Sequence, residues 1–171
     1  MKKNKKEFFL QDNQGMSIVE LLVIIAIVAV LTGVAVNLFG YMNGKQARQC
    51  AYKLEAAISE IRMETMSKSN GELDNVYLKI VNENDKIYAV RMIKGTEAKD
   101  VIGEKVTVIA IDTTGGESTI SSGSFVPIFF NRATGALLAE SMYPKFRITQ
   151  GNTNYVVEVE PTTGRITCER Q

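Results

Sequence analysis

The 171-residue chain has no histidine, only two cysteines and only three prolines. Without histidine it cannot build Ser-His or Cys-His nucleophile pairs, and most zinc and iron sites lose their commonest ligand. It also has no S-x-x-K motif, no Gly-rich phosphate loop and no cluster of residues spaced as metal ligands. We therefore expect no enzyme, no cofactor and no metal site.

The two cysteines do not form a disulfide framework, because they are far apart in sequence and no C-x-x-C motif occurs. Cys50 and Cys168 are candidates for a single long-range bridge outside the cytosol. The alternative is that both act as small apolar residues that fill space in a core.

The net charge is +1, but four of the lysines lie at positions 2, 3, 5 and 6. The rest of the chain is close to neutral, which disfavours a nucleic-acid-binding domain. A basic edge near the C-terminus keeps DNA binding open as an alternative, and its residues are Lys145, Arg147, Arg165 and Arg170.

No residue from Leu21 to Gly44 is charged. About 20 apolar residues cross a bilayer core, so this stretch predicts a transmembrane helix. The stretch is longer than that of a secretory signal, and no A-x-A cleavage pattern follows it. Because the lysines precede it, we expect a single-pass protein of the cytoplasmic (inner) membrane with its N-terminus inside and its globular domain extracytoplasmic.

Glu20 is the one acidic residue at the start of the apolar stretch. A charge at the bilayer centre costs about 2.5–3.5 kcal/mol on insertion scales, so such a residue usually has a function or a partner. Ser17-Ile-Val-Glu20 also fits a helix capping box, in which Ser17 is the N-cap. Both interpretations place the start of a helix near residue 17.

The stretch Gln14-Gly15-Met16-Ser17-Ile18-Val19-Glu20-Leu21-Leu22, preceded by the lysines, resembles the N-terminal processing motif of type IV prepilins and type II secretion pseudopilins. This resemblance implies cleavage between Gly15 and Met16 by a prepilin peptidase, which would also N-methylate Met16. The mature subunit would then assemble with other subunits into a filament. There Glu20 would pair with the Met16 ammonium of a neighbour. Asn37 replaces the helix-kinking proline of many members.

The remainder predicts an amphipathic helix followed by strands. Apolar residues recur at 3,4 spacing through Ala47, Cys50/Ala51, Leu54, Ala57/Ile58, Ile61 and Thr65. Strands are predicted at 76–81, 87–93, 105–111, 125–130, 145–149, 154–159 and 165–168, with a flexible loop at 113–124. The predicted organisation is a leader (1–15), a transmembrane or filament-core helix (16–44), an amphipathic helix (45–70) and an antiparallel β domain (71–171). This is the α+β, pilin-like fold class, with a long N-terminal helix packed on the β domain.

Within that family, FFNRATGALL (129–138) and FRITQGNTNYVVEVEPTTGRIT (146–167) resemble H-type minor pseudopilins. The resemblance implies a scarce subunit of a secretion, pilus or DNA-uptake filament. Two alternatives remain: a single-pass membrane-anchored binding domain, and a DNA-binding minor pilin.

Overall fold

The computed structural model describes residues 17–67 and 76–171; for residues 34–43, inside the helix, it describes the backbone only. Within these residues a helix, α1, covers Ile18–Ser67. The strands are β1 (Tyr77–Glu83), β2 (Lys86–Ile93), β3 (Thr96–Glu104), β4 (Thr107–Ile111), β5 (Glu117–Thr119), β6 (Phe125–Ile128), β7 (Lys145–Gln150), β8 (Thr153–Val159) and β9 (Ile166–Arg170).

Contacts divide the chain into two compact units, Met1–Phe39 and Gly40–Gln171. The second unit holds two antiparallel sheets. The first sheet has four strands in the order β3-β2-β1-β6, and the second has five in the order β5-β4-β7-β8-β9. Both grow mainly from hairpins, so neighbours in the sheet are often neighbours in sequence.

The hairpin between β1 and β2 shows how local chemistry sets the register. Its two-residue turn, Asn84-Asp85, has positive φ at both positions. This backbone twist matches that of paired strands, and Asn and Asp tolerate it better than other non-glycine residues. The pair Glu83↔Lys86 closes the turn, and the register then runs to Tyr77↔Met92.

The apolar stripe predicted for residues 47–65 is confirmed. Ala47, Cys50, Ala51, Leu54, Ala57, Ile58, Ile61 and Thr65 are all buried. Except for Thr65, they join one hydrophobic cluster with inward-facing strand residues such as Leu78, Ile80, Phe146 and Ile148. The 3,4 spacing therefore defines the face by which the second half of α1 packs on both sheets.

Two similar turns meet at the C-terminal end of α1. In one, Gly135 N–H donates to the Asn131 carbonyl and Asn131 N–H to the Ala136 carbonyl. In the other, Gly164 N–H donates to the Glu160 carbonyl and Glu160 N–H to the Arg165 carbonyl. We call residues 131–136 and 160–165 the twin turns. Arg62 of α1 donates to both, from Nε to the Gly135 carbonyl and from Nη2 to the Thr163 carbonyl, each at 3.0 Å.

The predicted membrane-spanning helix requires a correction. In the part of the chain that the structure describes, no helix combines the length and the apolar character needed to cross a membrane. This finding overturns the pilin-like α+β fold class with a transmembrane half, and with it the single-pass location in the inner membrane. What the structure has is α1 and a mostly β unit of two antiparallel sheets.

The seven predicted strands correspond to β1, β2, β4, β6, β7, β8 and β9, with ends shifted by a few residues. Two strands were missed, β3 and β5, and both lie at sheet edges. The prediction of a loop throughout 113–124 is wrong at Glu117–Thr119, which pairs with β4.

The predicted boundary between residues 44 and 45 falls inside α1, and the one at residue 71 lies outside the described residues.

Candidate functional site

The predicted leader and cleavage site lie outside the described residues. Gly15 and Met16 precede Ser17, where the description begins. The candidate site that the structure does describe is therefore the start of α1, immediately after the predicted scissile bond.

Ser17 caps α1. The helix begins at Ile18, and the Ser17 hydroxyl accepts a hydrogen bond from Val19 N–H at 3.4 Å. The Ser17 carbonyl accepts one from Leu21 N–H at 3.0 Å. The Ser17 hydroxyl thus satisfies an N–H group of the first turn that has no acceptor within the helix. This bond is the part of the predicted capping box that the serine contributes.

Glu20 lies in the first turn of α1 and is exposed to solvent. Among the described residues its carboxylate has neither a hydrogen bond nor an ion pair, so the reciprocal bond to Ser17 N–H is not formed. The helix N-terminus favours a negative charge at this position. Glu20 is thus a carboxylate held at the start of an apolar surface without a protein counter-charge in the described chain.

The apolar segment, which we define as residues 18–33 of α1, is exposed along its whole length. Its large side chains range from 43% exposed at Ile24 to 77% exposed at Ile18. The Thr32 hydroxyl donates to the Val28 carbonyl at 2.7 Å, so its donor is satisfied within the helix. Apart from Glu20, the segment presents no charged group.

The exposed residues of the apolar segment include consecutive positions. Leu21, Leu22, Val23, Ile24 and Ile25 follow one another, so they point in all directions around the helix axis. An amphipathic helix that covers one core has a single apolar stripe instead. Burying a large aliphatic side chain is favourable by about 1.5–3 kcal/mol. Covering the segment on every side would therefore be strongly favoured in free energy.

The four residues of the predicted basic edge do not form one surface. Lys145 pairs with Glu158 at 3.1 Å, and Arg147 pairs with Glu117. Both basic residues lie on the face of β7 opposite to buried Phe146 and Ile148. Arg170 instead pairs in register with Tyr155, which itself pairs with buried Ile148, so Arg170 lies on the side of the sheet that Phe146 and Ile148 share. Arg165 precedes β9 in a twin turn. The structure therefore separates two neutralised cations from Arg170.

Cys50 and Cys168 are free thiols. Cys50 is fully buried, and its sulfur packs against Gly103 of β3, where an added Cβ would lie only 2.7 Å from the sulfur. Burial raises the pKa of the Cys50 thiol to about 12, although the charge of Lys53 opposes the shift. Burial also raises the pKa of Cys168, and the carboxylates of Glu55 and Glu169 raise it further. Both groups are therefore weak nucleophiles.

A second feature, which the sequence did not predict, is a groove between α1 and the β8–β9 hairpin. We call it the basic groove; it has a volume of about 480 Å³ and is lined by Gly44, Lys45, Arg48, Gln49, Tyr52, Thr153, Tyr155 and Arg170. The Arg48 guanidinium lies 5.5 Å from the centroid of the Tyr52 ring. The Tyr52 and Tyr155 rings are 6.5 Å apart.

Only half of the basic groove could have been found from the sequence. Lys45, Arg48 and Tyr52 follow the 3,4 spacing of one helix face, next to the apolar stripe. That Arg170 joins them depends on the pairing of β8 with β9 and on the docking of α1. No local signal links residues that are more than a hundred positions apart.

No family model matches the chain, and the chain matches no curated protein and no solved structure.

Proposed function

We propose that the chain is a structural subunit of a type IV pilin-like or pseudopilin filament, cleaved after Gly15 and N-methylated at Met16. The observation that carries the proposal is the apolar segment, which is exposed on all sides and bears a single acidic residue, Glu20, in its first turn. The processing motif around Gly15 and Met16 supports it from the sequence.

The occupant that we propose for the apolar segment is the same segment of other copies. A helix that is apolar around its whole circumference is typically buried on every side, and several surrounding helices can cover it completely. Identical subunits supply such neighbours when a head-to-tail contact repeats, because a contact of this kind that does not close into a ring generates a helical filament. The second unit has its own hydrophobic cluster, so it can fold around α1 without using the apolar segment.

Glu20 fits this arrangement because a carboxylate inside an apolar bundle needs a counter-charge. Cleavage after Gly15 creates a new amino group at Met16, and methylation leaves that group basic. An ammonium from one subunit close to Glu20 of its neighbour would set the axial register of the two helices. The partners that the proposal requires are a prepilin peptidase and further copies of this or related subunits.

The first test is processing. The full chain is produced with and without an active prepilin peptidase, and the intact mass and N-terminus of each product are measured. We expect a product that begins at N-methylated Met16 only when the peptidase is present. Gly15→Leu should remain uncut, whereas Gly151→Leu, a change in the turn between β7 and β8, should be cut normally.

A chain that keeps Met1 beside a peptidase that cuts a known prepilin in the same cells would overturn the proposal. The second test is assembly, in which electron microscopy and sedimentation measure filaments of cleaved protein. A cleaved subunit that stays monomeric and enters no filament with related subunits would also overturn it.

A further inference from the structure

We propose that the basic groove binds a phosphate-bearing ligand of about nucleotide size. The inference does not depend on the filament, since all the described residues that line the groove lie in the second unit of the chain. It depends on the charge, the geometry and the size of the groove.

The charge of the groove is positive and uncompensated. Among the described residues, its lining includes Lys45, Arg48 and Arg170 and no acidic residue. Within the described residues none of these three cations has an ion pair, whereas Arg91 and Arg147 are each held by carboxylates. Three cations around one groove repel one another. An anion that binds between them is attracted by all three and relieves that repulsion.

The geometry suits an anion with several oxygen atoms. Arg48 is held over the ring of Tyr52, and this stacking leaves the edge of its guanidinium available to donate. Arg170 stands across the groove on β9, in register with Tyr155 of β8. Guanidinium groups bind phosphate through paired N–H···O bonds, and two of them on opposite walls can hold different oxygens of one phosphate.

The walls of the groove are held in position by contacts outside the charged residues. At one end, α1 and β8 touch so closely that a Cβ on Gly44 would lie 2.8 Å from the Thr153 hydroxyl. Nearby, Ala47 N–H donates to the Gln150 side chain, which also donates to Gln46. The helix and the hairpin therefore keep the spacing of the groove before any ligand arrives, which reduces the entropic cost of binding.

The size and the aromatic lining favour an organic phosphate over inorganic phosphate alone. About 480 Å³ falls within the range of small-molecule sites, which is roughly 300–1,000 Å³. The rings of Tyr52 and Tyr155 offer apolar faces beside the cations. A planar base or ring attached to the phosphate can stack there, as bases stack on tyrosine in single-strand binding sites.

The test measures binding to the full chain in an uncharged mild detergent by isothermal titration calorimetry. The probes are inorganic phosphate, adenosine monophosphate and a short oligothymidylate. We expect saturable binding of at least one probe, weakened about tenfold or more by Arg48→Gln and by Arg170→Gln, because each removes a charge-assisted hydrogen bond. Added salt should weaken binding, and the oligothymidylate should show the steeper dependence.

Arg165→Gln is the matched control, since Arg165 is an exposed arginine that precedes the same strand but does not line the groove. It should bind like the unmodified chain, and thermal unfolding should verify that all variants are folded. Competition between the probes identifies the source: displacement by adenosine monophosphate indicates a free nucleotide, and displacement by the oligomer alone indicates a phosphodiester strand. No saturable binding at low salt, or equal losses in all three variants, would overturn the proposal.

Discussion

The carbonyl oxygen of Gly135 lies against the α-carbon of Gly164, so that a Cβ on Gly164 would be only 1.7 Å from it. Gly164 also has φ +65°, a conformation that residues with a Cβ rarely adopt. The two glycines let the twin turns pack backbone to backbone. Arg62 then joins both turns to α1, through the Gly135 and Thr163 carbonyls.

Replacing Gly164 should therefore destabilise the second unit strongly. In Gly164→Ala the new methyl group meets backbone, which cannot move aside as a flexible side chain can. We expect the free energy of unfolding to fall by about 3 kcal/mol or more. The measurement is urea denaturation of the full chain.

Gly151→Ala is the control, because Gly151 also has positive φ but a Cβ added there would have no other atom within 4 Å. This substitution should lower the free energy of unfolding by only about 1–2 kcal/mol. Equal losses would show that backbone strain, not the contact, matters.

Arg62 should stabilise the twin turns through its two hydrogen bonds. Arg62→Gln keeps helix propensity but cannot reach both carbonyls, so we expect a loss of about 1–3 kcal/mol. Arg165→Gln provides the comparison, since that side chain is exposed and its loss should change stability by less than about 0.5 kcal/mol. Hydrogen exchange at Gly135 and Gly164 should accelerate in Arg62→Gln alone. Unchanged exchange in both turns would contradict the role of Arg62.

The two thiols should differ in reactivity. Cys50 is fully buried and burial raises its pKa to about 12, whereas Cys168 is half-buried. Iodoacetamide should therefore modify Cys168 first in the native protein, and more quickly as the pH rises because the thiolate is the nucleophile. Cys50 should react only on unfolding. Intact mass and peptide mapping measure both, and modification of Cys50 ahead of Cys168 would contradict the burial.

Cys50 should also make stability depend on alkaline pH. Its pKa is about 12 in the folded chain and 9.0 in its ordinary state. The folded state thus retains a proton that the unfolded chain loses, so the free energy of unfolding should decline as the pH rises above 9. The comparison of wild type with Cys50→Ala, by urea denaturation from pH 8 to about pH 10.5, isolates this effect. A decline of equal slope in Cys50→Ala would assign it to other groups.

Glu20 should matter for assembly and not for cleavage. Glu20→Gln keeps the size and helix propensity of the side chain but removes its charge. Cleavage after Gly15 should proceed as in the wild type, while the yield of filament per cleaved subunit falls about tenfold, which corresponds to about 1.4 kcal/mol. Glu97→Gln, which removes an exposed carboxylate from β3, should assemble normally. Normal filament yields from Glu20→Gln would remove the counter-charge argument.

The strands that the sequence predicted share one property, which is apolar residues placed to face a core. β1, β7 and β8 have such residues at Leu78, Ile80, Phe146, Ile148 and Tyr155. β3 and β5 were missed because they are edge strands with mostly exposed side chains. Their position depends on hydrogen bonds to β2 and β4, which leave no periodic pattern in the sequence.

The four residues of the expected basic edge are separated for a related reason. Lys145 and Arg147 alternate on one strand face, as the sequence suggests, but Glu158 and Glu117 from neighbouring strands neutralise them. Arg170 ends on the other side, beside Tyr52 and Tyr155. The composition of a sequence shows how many charges there are, whereas pairing between strands decides which of them remain uncompensated.

From the sequence alone follow the buried stripe of α1, most of the strands, the N-cap at Ser17 and the apolar stretch with Glu20 at its start. These features depend on periodicity and on contacts within a few residues. Only the tertiary structure decided that Gly135 and Gly164 are in contact and that Arg48 and Arg170 face one groove. Those features require parts of the chain distant in sequence to pack together, and packing depends on shape and on long-range pairing that local patterns do not encode.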